Sequence, residues 1–456
     1  MKYLKLIVVF VLAAILFFPS CEVDPEERTD VSKVDHPEWS KNANIYEVNV
    51  RQYTEEGTFN AFGEHLDRLE EMGVDILWFM PVSPIGEKNK KGELGSYYSV
   101  ADYTAINPEF GTMEDFKNLV DRIHDKGMYV ILDWVANHTA WDHYWTETNP
   151  EYYVTDEDGE FIIPPDTDWT DVIQLDYDNE ELRDAMLGEM RFWIEEVNID
   201  GFRCDVAGRV PTDFWNRVRA ELEEIKPIFM LAEAEVPELH EHAFEVGYGW
   251  HLHHLTNEVA RGNEDVSIID DYFFGDEGIE FPEGAYKMNF ITNHDENSWA
   301  GTVFDRYGDG VEAFAVFTHT IPGMPLIYSG QEDGLDKMLE FFEKDPIEWG
   351  DYEYEDFYKT LLSLKHRNEA LWNGLNGGDI VRINTNDDNN VFAFIREKNE
   401  DKVFVVLNLN DEGLNITFEG NDFTGSYTNV FSNEDVTIEE DYNIEMDPWG
   451  YKVFAK

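Results

Sequence analysis

From Asn44 onward the chain repeats one unit, a short strand apolar through nearly its whole length followed by an amphipathic helix. The strands read NIYEVNV, DILWFMPV, MYVILDWV, GFRCDVA, IFMLAEA, EVGYGWHL, KMNFITNHD and MPLIYSG, eight in all. A strand with two apolar faces must be covered on both sides, and a parallel sheet sheathed by helices does that. The helices show their own signals. Phe62, Leu66 and Leu69 share one face ahead of Gly73. Thr112 and Asp115 form a capping box, Phe116, Leu119, Val120 and Ile123 follow at helical spacing, and Gly127 stops the run. A further helix is expected over 179–197. Eight such units predict an α/β fold, a (β/α)8 TIM barrel. The rhythm breaks twice. Residues 139–172, rich in Trp, Tyr, Asp and Pro, read as a small inserted domain after strand three. After Gly377 the runs DIVRINT, VFAFIRE, KVFVVLNL and LNITFEG alternate with Asn, Asp and Gly turns, which predicts a C-terminal all-β domain over 377–456, a β-sandwich. The barrel then takes 41–138 and 173–376.

The first residues carry another signal. Lys2 and Lys5 precede an apolar run from Leu6 to Phe18, too short to span a bilayer comfortably and suited to a secretory signal peptide over 1–21. Ser20-Cys21 resembles a lipobox, so the expected mature protein is exported and held at the cell envelope by a lipid on Cys21, with 22–40 as an acidic tether. The only other cysteine is Cys204, so no structural disulfide is expected. Across 456 residues, 96 acidic against 34 basic side chains give a net charge of −62. Such a surface excludes nucleic acid and an anionic membrane face as partners, since both need basic patches. With 43% apolar residues the chain folds despite this charge. An acidic, hydrated coat of this kind predicts tolerance of molar salt.

In a barrel of this kind the chemistry sits at the C-terminal ends of the strands. Strand three ends in Asp133, Asn137 and His138, strand four in Arg203 and Asp205, strand five in Glu233, and strand seven in Asn293, His294 and Asp295. Buried charges are costly unless paired, and several acids converging on one rim are hard to explain as structure. Several carboxylates without a metal-spaced His cluster suggest glycosidic bond chemistry, in which one carboxylate attacks and a second carboxyl group donates a proton. Arg203, two residues before Asp205, is expected to lower the Asp205 pKa and keep it ionised. Glu233, between Ala232 and Ala234, is expected to have a raised pKa.

These residues also carry a resemblance. DWVANH, GFRCD, the Glu of LAEA, and FITNHD resemble, in order, the four short conserved regions of the α-amylase superfamily of glycoside hydrolases. GMPLIYSGQE resembles its eighth-strand motif and SYYSVADY its motif before the third strand. The resemblance implies that Asp205 is the nucleophile, Glu233 the acid/base and Asp295 the transition-state stabiliser. It implies that Tyr98 stacks under the reacting sugar, that His138 and His294 bond its hydroxyls, and that Arg203 accompanies the nucleophile. The implied activity is retaining hydrolysis of α-glucosidic bonds, mainly α-1,4, in starch, maltodextrins or related α-glucans. Two departures keep alternatives open. Val206 follows the nucleophile where many α-amylases have Ala, and Val is commoner among relatives that cut α-1,6 bonds. The family's Lys-His pair is replaced by Gly208-Arg209. An α-1,6-acting oligo-glucosidase, a neopullulanase-type enzyme, a transglycosylase and a non-catalytic surface glycan-binding protein are therefore the rival readings. No cofactor is required by this chemistry. The family's calcium site would use Asn137, but its usual Asp partner falls near Gln174, so calcium is only weakly supported and no metal ligand is assigned.

Overall fold

The computed structural model describes residues 32–456, so the expected signal peptide and the expected lipid site at Cys21 lie outside the described residues. Eight parallel strands close into a barrel: β1 Ile45–Val48, β2 Ile76–Phe79, β3 Tyr129–Trp134, β4 Gly201–Cys204, β5 Phe229–Ala232, β6 Val246–Tyr248, β7 Tyr286–Asn289 and β8 Met324–Tyr328. Each strand pairs with its successor, and β1 closes the ring by pairing Ile45 with Leu326 of β8.

Both faces of the strands are apolar for different reasons. Leu77, Phe79, Val130, Leu132, Phe202 and Met230 pack outward against the helices. Ile45, Ile76, Ile131, Phe229, Val246 and Leu326 fill the barrel interior. Two residues further along, the same interior rows carry Glu47, Asp133 and Arg203, all buried. The lower layer of the interior is hydrocarbon and the upper layer is charged. That step happens within one side-chain repeat of a strand, where the rows emerge from the ring.

The helices start and stop where their signals lie. Thr112 caps Met113–Asp125 with both halves of the capping box formed. Asn179 caps Glu180–Phe192, which relaxes into a π-helical turn at Trp193–Val197. The expected helix around Phe62–Leu69 is split into Phe59–Gly63 and Leu66–Met72, and Gly73 ends the second at φ 94°. Gly201 is required by space: a Cβ there would lie 1.8 Å from the Phe229 carbonyl oxygen of β5.

The segment after β3 opens with a short strand, His138–Ala140, paired antiparallel to Val172–Gln174. Beyond the barrel, six antiparallel strands form one sheet, with Asp401–Asn408 at its centre and a two-stranded pair, Leu414–Thr417 and Asn443–Met446, beside it. Phe404, Ile416, Phe423, Met446 and Phe454 fill the space between.

Candidate active site

The upper charged layer is organised by one guanidinium. Arg203 is fully buried, and its Nη1 donates to Asp133 Oδ1 at 2.8 Å and to Asp205 Oδ1 at 3.0 Å. Its Nη2 lies 3.0 Å from Glu233 Oε1. Asp133 is further held by Trp78 Nε1 at 3.1 Å and the Tyr98 hydroxyl at 3.0 Å. Asp205 and Glu233 sit one residue beyond β4 and β5, so the ring of strands sets their spacing. The chain turns sharply between them. Val206 adopts φ 38°, a left-handed conformation that is strained for a β-branched residue. This turn aims the Val206 N–H at Glu233 Oε2, 2.7 Å away.

The electrostatics differ in part from the sequence expectation. Burial pushes the Glu233 carboxyl up to about 7, with Asp205 and Asp295 adding to the effect against Arg203, in the direction expected. Asp205 was expected to lie low because of Arg203. Burial instead lifts it to about 6, since Arg203 offsets only part of the desolvation and shares its charge with Asp133 and Glu233. Arg203 thus moderates the rise of both carboxyls and does not hold Asp205 below an ordinary aspartate.

Tyr98, His138, His294 and Asp295 line the same cavity as Asp205 and Glu233. The Tyr98 hydroxyl, whose proton goes to Asp133, accepts from protonated His294 Nε2 at 2.8 Å, and the two rings lie nearly parallel. Asp295 Oδ2 is 3.3 Å from the same nitrogen. The two histidines differ in charge. Burial holds His138 down to about 3 and keeps it neutral. Burial would do the same to His294, but Asp295 and Glu47 outweigh it and hold the imidazole up to about 9. Glu47 touches His294 Nδ1 directly and also accepts the His294 backbone N–H at 3.3 Å. Sequence reasoning passed over Glu47. Its signal was present, a single acid in the otherwise apolar strand β1, which is buried throughout.

The residues at the expected calcium position face one another. Gln174 Nε2 lies 3.1 Å from the Asn137 carbonyl oxygen, 3.2 Å from Asn137 Oδ1 and 3.0 Å from the Leu175 carbonyl oxygen. All three neighbours are oxygens, so the nitrogen end of the amide faces them. The donor set contains no carboxylate, and an amide nitrogen fills the space between the oxygens, so these residues do not fit a calcium ion.

A sequence model described as alpha amylase, catalytic domain, matches residues 29–171 and 155–403. The chain belongs to the alpha-amylase family. A second model, the maltogenic amylase C-terminal domain, matches residues 382–453 of the β domain. Alpha-amylase MalA of Haloarcula japonica is 30% identical over 435 residues, spanning 89% of this chain and 62% of its own length. Neopullulanase 2 of Thermoactinomyces vulgaris is 27% identical over 82% of this chain and 70% of its own. Among solved structures, the maltogenic alpha-amylase AmyB from Thermotoga neapolitana superposes with a TM-score of 0.83 at 29% identity, over 91% of this chain and 99% of that one. An alpha-amylase from Lactobacillus plantarum gives 0.81 at 28% identity, over 92% and 99%. Within this alpha-amylase frame, the residues that the motifs singled out for catalysis or sugar contact line one cleft, with Arg203 buried directly beneath its carboxylates.

Proposed function

We propose that the protein is a retaining glycoside hydrolase of α-glucans, with Asp205 as nucleophile, Glu233 as acid/base and Asp295 as transition-state stabiliser. The observation that carries this is the bridging of Asp205 and Glu233 by Arg203, with the Val206 N–H on Glu233. Two carboxyl groups on one guanidinium suit the short separation of a retaining pair, about 5–5.5 Å, better than the wider gap that admits a water between them. Asp205, the lower of the two, is the ionised partner and attacks the anomeric carbon as Glu233 gives its proton to the leaving oxygen. Glu233 then takes a proton from the incoming water, which releases the sugar with its configuration kept. Tyr98 supports the reacting sugar from below, and neutral His138 and cationic His294 bond its hydroxyls from two sides.

Starch-type α-1,4 glucans are the substrate class that the resemblance favours, and the similarity to Neopullulanase 2 keeps α-1,6 cleavage as the second reading. Incubation with starch, pullulan and isomaltose side by side, with NMR of the first product, tests both. An initial β anomer, or no cleavage of any of the three, would overturn the reading. We further read the enzyme as calcium-independent, as the Gln174 amide supports: EDTA should leave rate and melting temperature nearly unchanged, and collapse with rescue by calcium would contradict this. Export, and anchoring through Cys21, complete the proposal, and mass spectrometry of the mature N-terminus tests them.

A further inference from the structure

The loop after β2 carries a series of contacts that its length alone does not require. At its start, the Glu87 and Lys88 N–H groups donate to Asp142 Oδ2 at 2.9 and 3.2 Å, fixing it to the segment inserted after β3. In its middle, Lys91 Nζ lies 3.2 Å from Asp171 Oδ1 and 3.2 Å from the Asp168 carbonyl oxygen of that same segment. It then crosses to the loop after β8. The Glu93 N–H donates to Glu343 Oε1 at 2.8 Å and the Leu94 N–H to the Phe342 carbonyl at 3.0 Å. The crossing is close. Gly92 sits at φ 64°, and a Cβ there would lie 2.5 Å from Phe342 Cβ. Trp299, after β7, extends the barrier, with its ring 5.3 Å from Phe341 and 59% of its surface exposed.

The barrel order tells which end of the cleft this barrier closes. Strands β7, β8, β1, β2 and β3 are consecutive around the ring. The loops after β8, β2 and β3 are joined by these contacts into one wall, Arg209 after β4 adds to it at the Pro165 carbonyl, 2.9 Å away, and none of the wall's contacts comes from the loop after β5. Glu233, the group that protonates the leaving sugar in this reading, is at the end of β5 and so away from the joined loops. The leaving portion of a glucan exits there, and the wall faces the non-reducing end. The whole cavity that holds the carboxylates and ends at this wall is about 490 Å³. That is in the lower half of the range, about 300–1,000 Å³, that encloses a drug-sized molecule.

Resting on the hydrolase reading above, we propose that the strap Glu87–Leu94, clamped between Asp171 and Phe342, closes the cleft beyond the reacting sugar and makes the enzyme cut from non-reducing chain ends. In this scheme the room behind the reacting bond is a part of that cavity and takes a short stretch of sugars, and the strap keeps a polymer from threading past. Lys91 is a specificity-determining residue in this scheme and takes no part in bond cleavage.

The test compares loss of iodine colour with release of reducing ends on amylose, and follows maltoheptaose labelled at its reducing end. For the wild-type chain, colour should persist while reducing ends accumulate, and the label should move down in short steps. Lys91→Ala releases one clamp and should raise colour loss per reducing end about two- to fivefold, the scale of one partly exposed ion pair. Replacing residues 88–93 by a short glycine link should raise it further and lengthen the first products. Early collapse of iodine colour with the wild-type chain would overturn the inference whether or not either variant folds, and would leave the hydrolase reading intact. An unchanged ratio in both folded variants would also overturn it. Failure of the wild type to cut either substrate would instead strike the underlying function.

Discussion

Arg203 at one end of the barrel and the pair Lys365 and Arg396 at the other are buried in opposite ways. At the C-terminal end Arg203 faces Asp133, Asp205 and Glu233, charge against charge. At the N-terminal end Lys365 and Arg396 are equally buried, yet they face neutral oxygens. Lys365 Nζ donates to the Gly323 and Leu371 carbonyls and to Asn373 Oδ1. Arg396 donates to the carbonyls of Thr320, Ile321, Trp372 and Gly378. Burial pulls the Lys365 ammonium well below its ordinary value and Arg396 down to about 9. These two cations satisfy carbonyls where the chain enters β8 and where the β domain joins the barrel, so they hold the frame together. Arg203 directs its donors to three carboxylates, two of which line the cleft. Burial of a cation alone does not mark a function, and neither does a facing carboxylate, since Arg219 is buried 2.6 Å from Glu245 at the N-terminal end; what sets Arg203 apart is that three carboxylates share it.

The largest test of that contrast is at the top. Asp205→Asn and Glu233→Gln should each lower kcat by roughly 10³-fold or more, since each removes half of a two-carboxylate mechanism. Asp205→Asn should also melt higher. Asp205 has a folded pKa above its unfolded value, so its contribution to stability is full at low pH and is lost as pH rises through about 6. A calorimetric scan at neutral pH that shows no gain would count against this sign.

At the bottom the effects should reverse. Lys365→Met or Arg396→Met should cost about 3 kcal/mol or more, because buried carbonyls lose their donors, while kcat per folded molecule stays unchanged. Denaturant melts with active-site titration separate the two quantities, and a kcat loss without a stability loss would erase the distinction between the ends. Glu47→Gln sits between the extremes. It should lower the His294 pKa by about one unit, ~1.4 kcal/mol, as seen by NMR titration of the imidazole, with a kcat loss of about tenfold. A His294 that still titrates near its wild-type value would show that Asp295 suffices without Glu47. The smallest change is at the strained turn. Val206→Ala relieves a β-branched side chain at positive φ and should stabilise the fold by about 1 kcal/mol, read as a shift of the denaturant midpoint at constant slope. A lower midpoint would mean that the Val206 side chain packs more favourably than the turn strains it.

The amino-acid sequence makes much of this legible. The barrel can be read because its strands are apolar on both faces, and few arrangements besides a helix-sheathed parallel sheet bury eight such strands in a row. Asp133, Arg203, Asp205 and Glu233 stand out as charges at the ends of such strands. Glu47 is less visible because it lies inside NIYEVNV, where a lone acid resembles an ordinary strand residue until the closed ring places it under His294. The pKa of Asp205 cannot be read from Arg203 alone. The sign depends on how many carboxylates share one guanidinium, which is a fact of three dimensions. The strap after β2 is hidden for a similar reason: KNKKGELG looks like a solvated loop, and its partners lie at Asp171 and Phe342, far away in the chain.

The Gln174 amide has a consequence for how this enzyme meets its surroundings. A structural ion is a second component, held by mass action, and it leaves when the medium is dilute in it or when organic acids compete for it. A nitrogen carried on the chain itself is subject to neither. The junction at Asn137 and Leu175 is cross-linked by a group whose local concentration the environment cannot change. Its integrity should be the same in media poor in divalent ions as in media rich in them.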